Sequence, residues 1–110
     1  MGPPESGLRG DPARGAQRYA ALCAGCHSVD EHRVGPAHRG VVGRRAGAEP
    51  GFDYSPALRA SALVWTRAAL ERWLSDPERT IPRQGMGVSV GDAQDRADLI
   101  AYLASLGAPR

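Results

Sequence analysis

The spacing of apolar residues predicts a helix near the start of the chain. Asp11 followed by Pro12 is typical of a helix start, because aspartate caps the first turn and proline fits its first position. Ala16, Tyr19 and Cys23 then recur at helical spacing on one face. The predicted helix therefore leads directly into a pair of cysteines.

Two shorter helices are predicted in the middle of the chain. Ser55 and the proline after it predict a helix that ends at about Ala60. Thr66 has the features of another N-cap, and Leu70 belongs to the apolar stripe that follows it. Pro77 predicts the end of that helix, because proline interrupts a helix interior.

A final helix is predicted near the carboxyl end. Asp92 is its N-cap, and Leu99, Leu103 and Leu106 share one face before Gly107 closes it. No segment shows the alternation expected of a β-strand. The predicted fold class is therefore all-α.

Two segments lack a sustained hydrophobic period. Residues 28–53 and 80–91 are punctuated by glycine and proline and are predicted to be ordered loops, which in small domains usually serve function. Residues 1–10 are predicted to be a flexible lead-in. Residues 11–110 have the length of a single domain.

Composition indicates a small aliphatic core. Of 110 residues, 19 are Leu, Ile, Val or Phe and 18 are Ala. A Leu, Ile, Val and Phe content below about 20% usually accompanies a thin core. Either a large apolar cofactor supplies the missing volume, or a small alanine-rich domain packs on its own. The formal net charge of +2 indicates neither nucleic acid nor an anionic membrane as a partner.

The two cysteines provide the clearest chemical signal. Cys23 and Cys26 are followed at once by His27, and this spacing is typical of covalent haem attachment. Thiols about one helical turn apart can reach the two vinyl groups on one edge of a porphyrin. The next residue then lies beneath the iron. The spacing therefore predicts one covalently bound haem c with His27 as an iron ligand.

Three other interpretations of the cysteines stay open at this point. A thioredoxin-type redox pair normally follows a strand, whereas here a helix precedes it. A zinc site would combine Cys23 and Cys26 with His32 and His38, although the intervening gaps are short and His27 would be unexplained. Ordinary buried cysteines are the third interpretation.

Met86 is the candidate for the sixth iron ligand. It is the only methionine after Met1, and it lies between two glycines in a loop rich in proline and glycine. A thioether there is a poor core residue but a suitable ligand for haem iron. Ordinary packing is the alternative. With His27, Met86 is predicted to complete a six-coordinate iron.

The chain resembles the class I cytochrome c family, in particular mitochondrial cytochrome c and bacterial cytochrome c2. The likeness extends from about Gly15 to Leu106 and includes Trp65. It implies crossing N- and C-terminal helices, with shorter helices and long loops wrapped around one covalent haem. The matching segments are CAGCH (23–27), VGPAHRGVVGRRAG (34–47), PGFDYSPAL (50–58), DPERTIPRQGM (76–86) and RADLIAYLASL (96–106).

The resemblance implies roles for further residues around the haem. The Pro36 carbonyl is expected to accept the proton on the distal nitrogen of His27, which fixes the tautomer of that ligand. Tyr54 and Trp65 match residues that bind a buried haem propionate, and Arg44 matches one that compensates its charge.

A second group of matches concerns helix packing. Gly15 and Tyr19 match the contact of the first helix with the last, where Leu99 and Tyr102 lie. Glycine at this contact allows the two backbones to approach closely.

The sequence departs from the family pattern at several positions. Trp73 stands where the family usually has a tyrosine near the methionine sulfur, and its indole N–H can still donate. Leu58 replaces a polar residue that helps to hold an internal water. His38 replaces a leucine that packs against the haem, and Gly85 and Gly87 flank the ligand methionine in place of bulkier residues.

The expected function is that of a soluble carrier of single electrons between redox partner proteins. It is expected to be a monomer, not an enzyme, and to work in the bacterial periplasm after loss of a signal peptide. Arg39 and Arg83 are candidates for steering acidic partners, offset by nearby carboxylates. The alternatives are a dedicated haem subunit or excised domain of a periplasmic oxidoreductase, and a small haem enzyme or gas sensor. No apolar run is long enough to span a membrane.

Overall fold

Helices joined by irregular segments form the described part of the computed structural model. That part comprises residues 8–25, 27, 29–33, 35–48, 51–82 and 89–107. Within it, the extended pairing is limited to one isolated antiparallel bridge between Arg45 and Val64. The prediction of an all-α fold is confirmed. The helices are α1 (Pro12–Leu22), α2 (Pro56–Ala60), α3 (Arg67–Ser75), α4 (Pro77–Thr80) and α5 (Ala93–Ser105).

The four predicted N-caps all start helices. Asp11 caps α1, Ser55 caps α2, Thr66 caps α3 and Asp92 caps α5. In each case the side-chain oxygen accepts a hydrogen bond from a backbone N–H two or three residues later. These bonds satisfy donors that have no partner inside the helix. The local sequence therefore fixes where these helices begin.

Helix α4 was not predicted. Pro77 ends α3 as expected, but it also occupies the first turn of a new four-residue helix. Asp76 is at once the C-cap of α3 and the N-cap of α4, where its side chain accepts from the N–H of Arg79 at 3.3 Å. A proline is compatible with a first helical turn because its missing N–H has no helical partner there.

Among the described helices, α1 and α5 make the most extensive contact. Gly15 lies against the backbone carbonyl of Asp98, and a Cβ at position 15 would overlap it. The ring of Tyr19 packs on that of Tyr102 with 5.2 Å between centroids. The predicted close approach at Gly15 is therefore present. Buried residues of α3 and α5 complete the core, among them Leu70, Trp73, Leu99, Ile100 and Leu103.

The last residues of the predicted lead-in contact α5. The carbonyl of Arg9 accepts a hydrogen bond from Nε2 of Gln94 at 2.9 Å. A Cβ at Gly10 would overlap the carbonyl of Ala97. Residues 1–7 of the lead-in lie outside the described residues. None of the helices in the described ranges is long and apolar enough to cross a membrane.

Asp98 joins α5 to the start of α1. Its carboxylate accepts from the N–H of Asp11 at 2.8 Å, from Nε2 of Gln94 at 2.8 Å and from Nε of Arg14 at 3.3 Å. The residue is 2% exposed. Burial opposes ionisation, but these hydrogen bonds outweigh it and lower the pKa of Asp98.

We expect Asp98→Asn to lower the free energy of unfolding by about 3 kcal/mol at neutral pH, because three donors would lose a buried anion. A lowered pKa in the folded state means that the contribution of the carboxylate is present at neutral pH. It is lost as pH falls through the folded-state pKa. Denaturant unfolding at a series of pH values should therefore show that the difference in unfolding free energy between variant and parent becomes smaller in acid.

Asp53→Asn is the matched control for this prediction. The Asp53 side chain is 96% exposed and 3.8 Å from Nη1 of Arg59. Exposed pairs of this kind contribute about 0–1 kcal/mol. Equal effects of the two substitutions at neutral pH would contradict the role of Asp98.

Candidate cofactor site

The end of α1 carries the first cysteine into a tight turn. The N–H groups of Cys23 and Ala24 both donate to the carbonyl of Tyr19 at 2.9 Å. The N–H of His27 then donates to the carbonyl of Cys23 at 2.9 Å. This turn keeps the histidine close to the helix end, as the spacing of the motif requires. Cys26 lies outside the described residues.

His27 is held in one tautomer. Its Nδ1 lies 2.9 Å from the carbonyl oxygen of Pro36, and since a carbonyl can only accept, Nδ1 carries the proton. Burial lowers the pKa of His27, although the bond to Pro36 opposes the shift. The neutral ring therefore keeps its lone pair on Nε2. That nitrogen is the atom with which an imidazole so oriented binds a metal ion.

The surroundings of the His27 ring leave it little space. Gly35 lies against the ring, and a Cβ at position 35 would overlap its atoms. The ring of His38 stacks on that of His27, with 4.0 Å between centroids and 21° between planes. The His27 ring is therefore held by the Pro36 carbonyl, the backbone of Gly35 and the ring of His38.

His38 is in turn bonded to Tyr19. The Tyr19 hydroxyl lies 2.9 Å from Nδ1 of His38, and the two rings meet edge to face at 5.5 Å between centroids. Burial, with smaller contributions from His27 and Arg44, lowers the pKa of His38 to about 3. Burial also raises the pKa of Tyr19. Both groups are therefore uncharged at neutral pH. This contact joins residues far apart in sequence and was not predicted.

Arg44 and Trp65 are buried and joined by a backbone hydrogen bond. The N–H of Trp65 donates to the carbonyl of Arg44 at 2.8 Å, and both residues are buried. The Arg44 guanidinium donates to the carbonyls of Ala37 at 3.2 Å and Arg39 at 3.4 Å. A buried cation is stabilised by a nearby anion, so this position suits a buried carboxylate of a cofactor.

Tyr54 is also buried, at 6% exposure. Its ring meets that of Phe52 edge to face, with 4.9 Å between centroids. Phe52 in turn lies 5.5 Å from the ring of His32. Tyr54 therefore belongs to an aromatic group that includes His32.

Trp73 lies in the core beside Trp65. It is 8% exposed, and the two indole centroids are 5.1 Å apart at 60°. The structure thus brings together two of the predicted cofactor residues from different segments. Met86, the predicted partner of Trp73, lies outside the described residues, as does Arg83.

We expect Trp73→Ala to lower the free energy of unfolding by about 3–5 kcal/mol, because it removes the largest kind of core side chain and leaves a cavity. Thermal melting of the purified protein measures this loss. Trp73→Phe keeps an aromatic ring against Trp65 and should lose less than Trp73→Ala. Equal melting temperatures for Trp73→Ala and the parent would show that the indole does not support the core.

A charged cleft lies apart from these residues. Its volume is about 690 Å³, and its lining includes Glu71, Arg72, Arg79 and Arg96. Glu71 accepts from Nε of Arg96 at 2.6 Å, and both side chains are mostly buried. Glu71 is a charged residue among the buried residues of α3, and this feature of the sequence could have indicated the ion pair. The lining contains none of the residues predicted to hold a cofactor.

The two histidines of the zinc interpretation have other partners in the described residues, and Cys26 lies outside them. His32 accepts from the N–H of Ala37 at 3.1 Å, whereas His38 bonds to Tyr19 at 2.9 Å. Across the described ranges, no three His, Cys, Asp or Glu side chains are grouped so that they could hold a metal ion.

Comparison with known proteins gives a consistent result. The family model described as Cytochrome c matches residues 12–107. The chain is 41% identical to cytochrome c2 of Rhodopila globiformis over 100 residues, covering 88% of this chain and 94% of that protein. It is 42% identical to cytochrome c2 of Rhodomicrobium vannielii, covering 87% and 79% of the two chains.

A solved structure has the same architecture. Cytochrome cH from Methylobacterium extorquens superposes with a TM-score of 0.83 at 39% identity. The match covers 87% of this chain and 99% of that one.

Proposed function

Since the chain belongs to the cytochrome c family, whose members bind haem covalently, we propose that it is a monohaem carrier of single electrons. In this proposal Cys23 and Cys26 form the thioethers, and His27 and Met86 are the axial ligands. The observation that carries it is the state of His27. Its Nδ1 proton is bound to Pro36, and its Nε2 lone pair is available next to the attachment motif.

The residues around His27 fit a haem. When bound, haem c supplies an iron that accepts and releases one electron. His27 donates its Nε2 lone pair, and Pro36 strengthens that donor by holding the Nδ1 proton. Glycine is required at position 35, because any side chain there would overlap the His27 ring. A ligand fixed in this way changes little between oxidation states, which favours fast electron transfer.

Three buried residues suit the propionate groups of a haem. We assign Arg44, Tyr54 and Trp65 to that role, because a buried guanidinium and two buried aromatic donors suit a carboxylate. Leu58 packs on the same core as a partly buried apolar residue. We propose that the protein is not an enzyme, as is general for cytochrome c2 electron carriers.

The partners are redox proteins, as for the family, and the chain is proposed to act as a monomer in the bacterial periplasm. Arg39, a candidate for steering, is bonded within its own chain. Its Nε donates to Asp30 at 2.6 Å and its Nη1 to the carbonyl of Leu106 at 2.8 Å. Its positive charge is therefore paired with the carboxylate of Asp30 at the surface.

Acid–acetone extraction of the purified protein tests the proposed function. Haem should stay with the denatured polypeptide, and the intact mass should exceed that of the chain by one haem. Cys23→Ser should keep one thioether and shift the reduced spectrum, because one vinyl group stays unreacted. Haem that extracts into the solvent, or a protein that carries zinc without porphyrin, would contradict the proposal.

A further inference from the structure

We propose that the hydrogen-bonded pair of Tyr19 and His38 fixes the rotational orientation of the His27 ring and thereby helps to set the properties of the iron site. This inference rests on the proposed function. Its first support is the stacking of His38 on His27 at 4.0 Å between centroids and 21° between planes. Two flat rings in this arrangement restrict each other's rotation.

The second support is the attachment of His38 to a rigid part of the fold. Tyr19 is 6% exposed and lies on α1, four residues before Cys23. Its hydroxyl is 2.9 Å from Nδ1 of His38, and its ring packs on Tyr102 of α5. The position of His38 is thus set by the crossing of the first and last helices, not by its loop alone.

The bond between His27 and Pro36 does not by itself fix the orientation of the His27 ring plane. A single hydrogen bond from Nδ1 of His27 to the Pro36 carbonyl fixes the position of that nitrogen. It constrains rotation of the ring plane about the bond only weakly, because acceptance at a carbonyl oxygen is broad in angle. The flat face of His38 supplies a further constraint on the ring plane, beside the close contact of Gly35. A leucine, which the family resemblance would place at position 38, has neither a flat face nor a group that binds the Tyr19 hydroxyl.

The orientation of an axial imidazole has measurable consequences. Its plane determines how the ligand π orbitals overlap with the iron d orbitals. In the low-spin ferric state this overlap distributes unpaired spin unequally over the porphyrin. The proton resonances of the four haem methyl groups report that distribution, and the reduction potential responds to the same interaction. These readouts would not follow a general loss of stability.

The test uses the haem-loaded protein and two substitutions that each remove the hydrogen bond. Tyr19→Phe deletes the hydroxyl, and His38→Phe keeps a flat ring without a group to bind it. Both should shift the haem-methyl resonances of the ferric protein and the reduction potential. The double variant should shift them no further than the larger single effect, because both changes break one bond. Tyr102→Phe, which removes a neighbouring hydroxyl, is the control and should shift neither.

Other results would overturn the inference. Unchanged methyl resonances in Tyr19→Phe would show that the hydroxyl does not position His27 through His38. Shifts that add in the double variant would show two independent effects. A parent protein without low-spin haem would refute the proposed function and this inference with it. If the parent protein contains low-spin haem but the variants keep its methyl resonances and reduction potential, only this inference is refuted.

Discussion

Replacing both Cys23 and Cys26 with alanine is expected to leave little folded protein. Only 19 of the 110 residues are Leu, Ile, Val or Phe, so under the proposed function the haem would supply a large share of the apolar core. A domain of this size gains little stability from a small core, and the loss of a covalently held apolar group removes most of it. Far-ultraviolet circular dichroism and the yield of intact protein measure the loss.

Gly25→Ala is the matched control, because it changes the same turn and keeps both thiols. A Cβ at Gly25 would meet no atom within 4 Å in the described structure. This variant should load haem and retain most of its helical signal. A double-cysteine variant with parental helicity and a cooperative melt would show that the chain builds its core without the covalent group. The alternative of a small alanine-rich domain that packs on its own would then be correct.

Helix positions were predictable because their signals are local. Asp11, Ser55, Thr66 and Asp92 each accept a hydrogen bond from an N–H a few residues away, so the sequence near each cap contains the whole interaction. Helix α4 escaped prediction because Pro77 is compatible both with the end of one helix and with the first turn of the next. The carboxylate of Asp76 decides between these outcomes by capping α4.

The candidate site was predictable in part, again because some of its signals are local in sequence. The spacing of Cys23 to His27 lies within one turn of chain, and the family resemblance supplied the Pro36 carbonyl. The stacking of His38 on His27 and its bond to Tyr19 depend on how loop and helix meet in three dimensions. The bond of Asp98 to Asp11 spans 87 residues. Side chains alone do not reveal such pairings, since histidine and aspartate suit many other environments.

Met86→Ala is expected to change the iron site as strongly as any substitution that leaves the protein folded. If Met86 is the sixth ligand, the ferric parent shows the weak near-red charge-transfer band of a sulfur–iron bond. The variant should lose that band, because Met1 is the only other methionine. The reduction potential should fall by roughly a few tenths of a volt, since a thioether favours ferrous iron and axial ligands tune haem potentials over about 0.8 V.

The replacement ligand in Met86→Ala separates two outcomes. Water or hydroxide is expected, because Nδ1 of His32 accepts from the N–H of Ala37 and Nδ1 of His38 is bonded to the Tyr19 hydroxyl, and these contacts oppose movement of either ring to a new position. A bis-histidine spectrum in Met86→Ala that disappears in Met86→Ala/His32→Ala would instead assign His32 as the substitute. Gln84→Ala, in the same loop segment, is the control and should keep the band. Persistence of the charge-transfer band in Met86→Ala would refute the assignment of Met86.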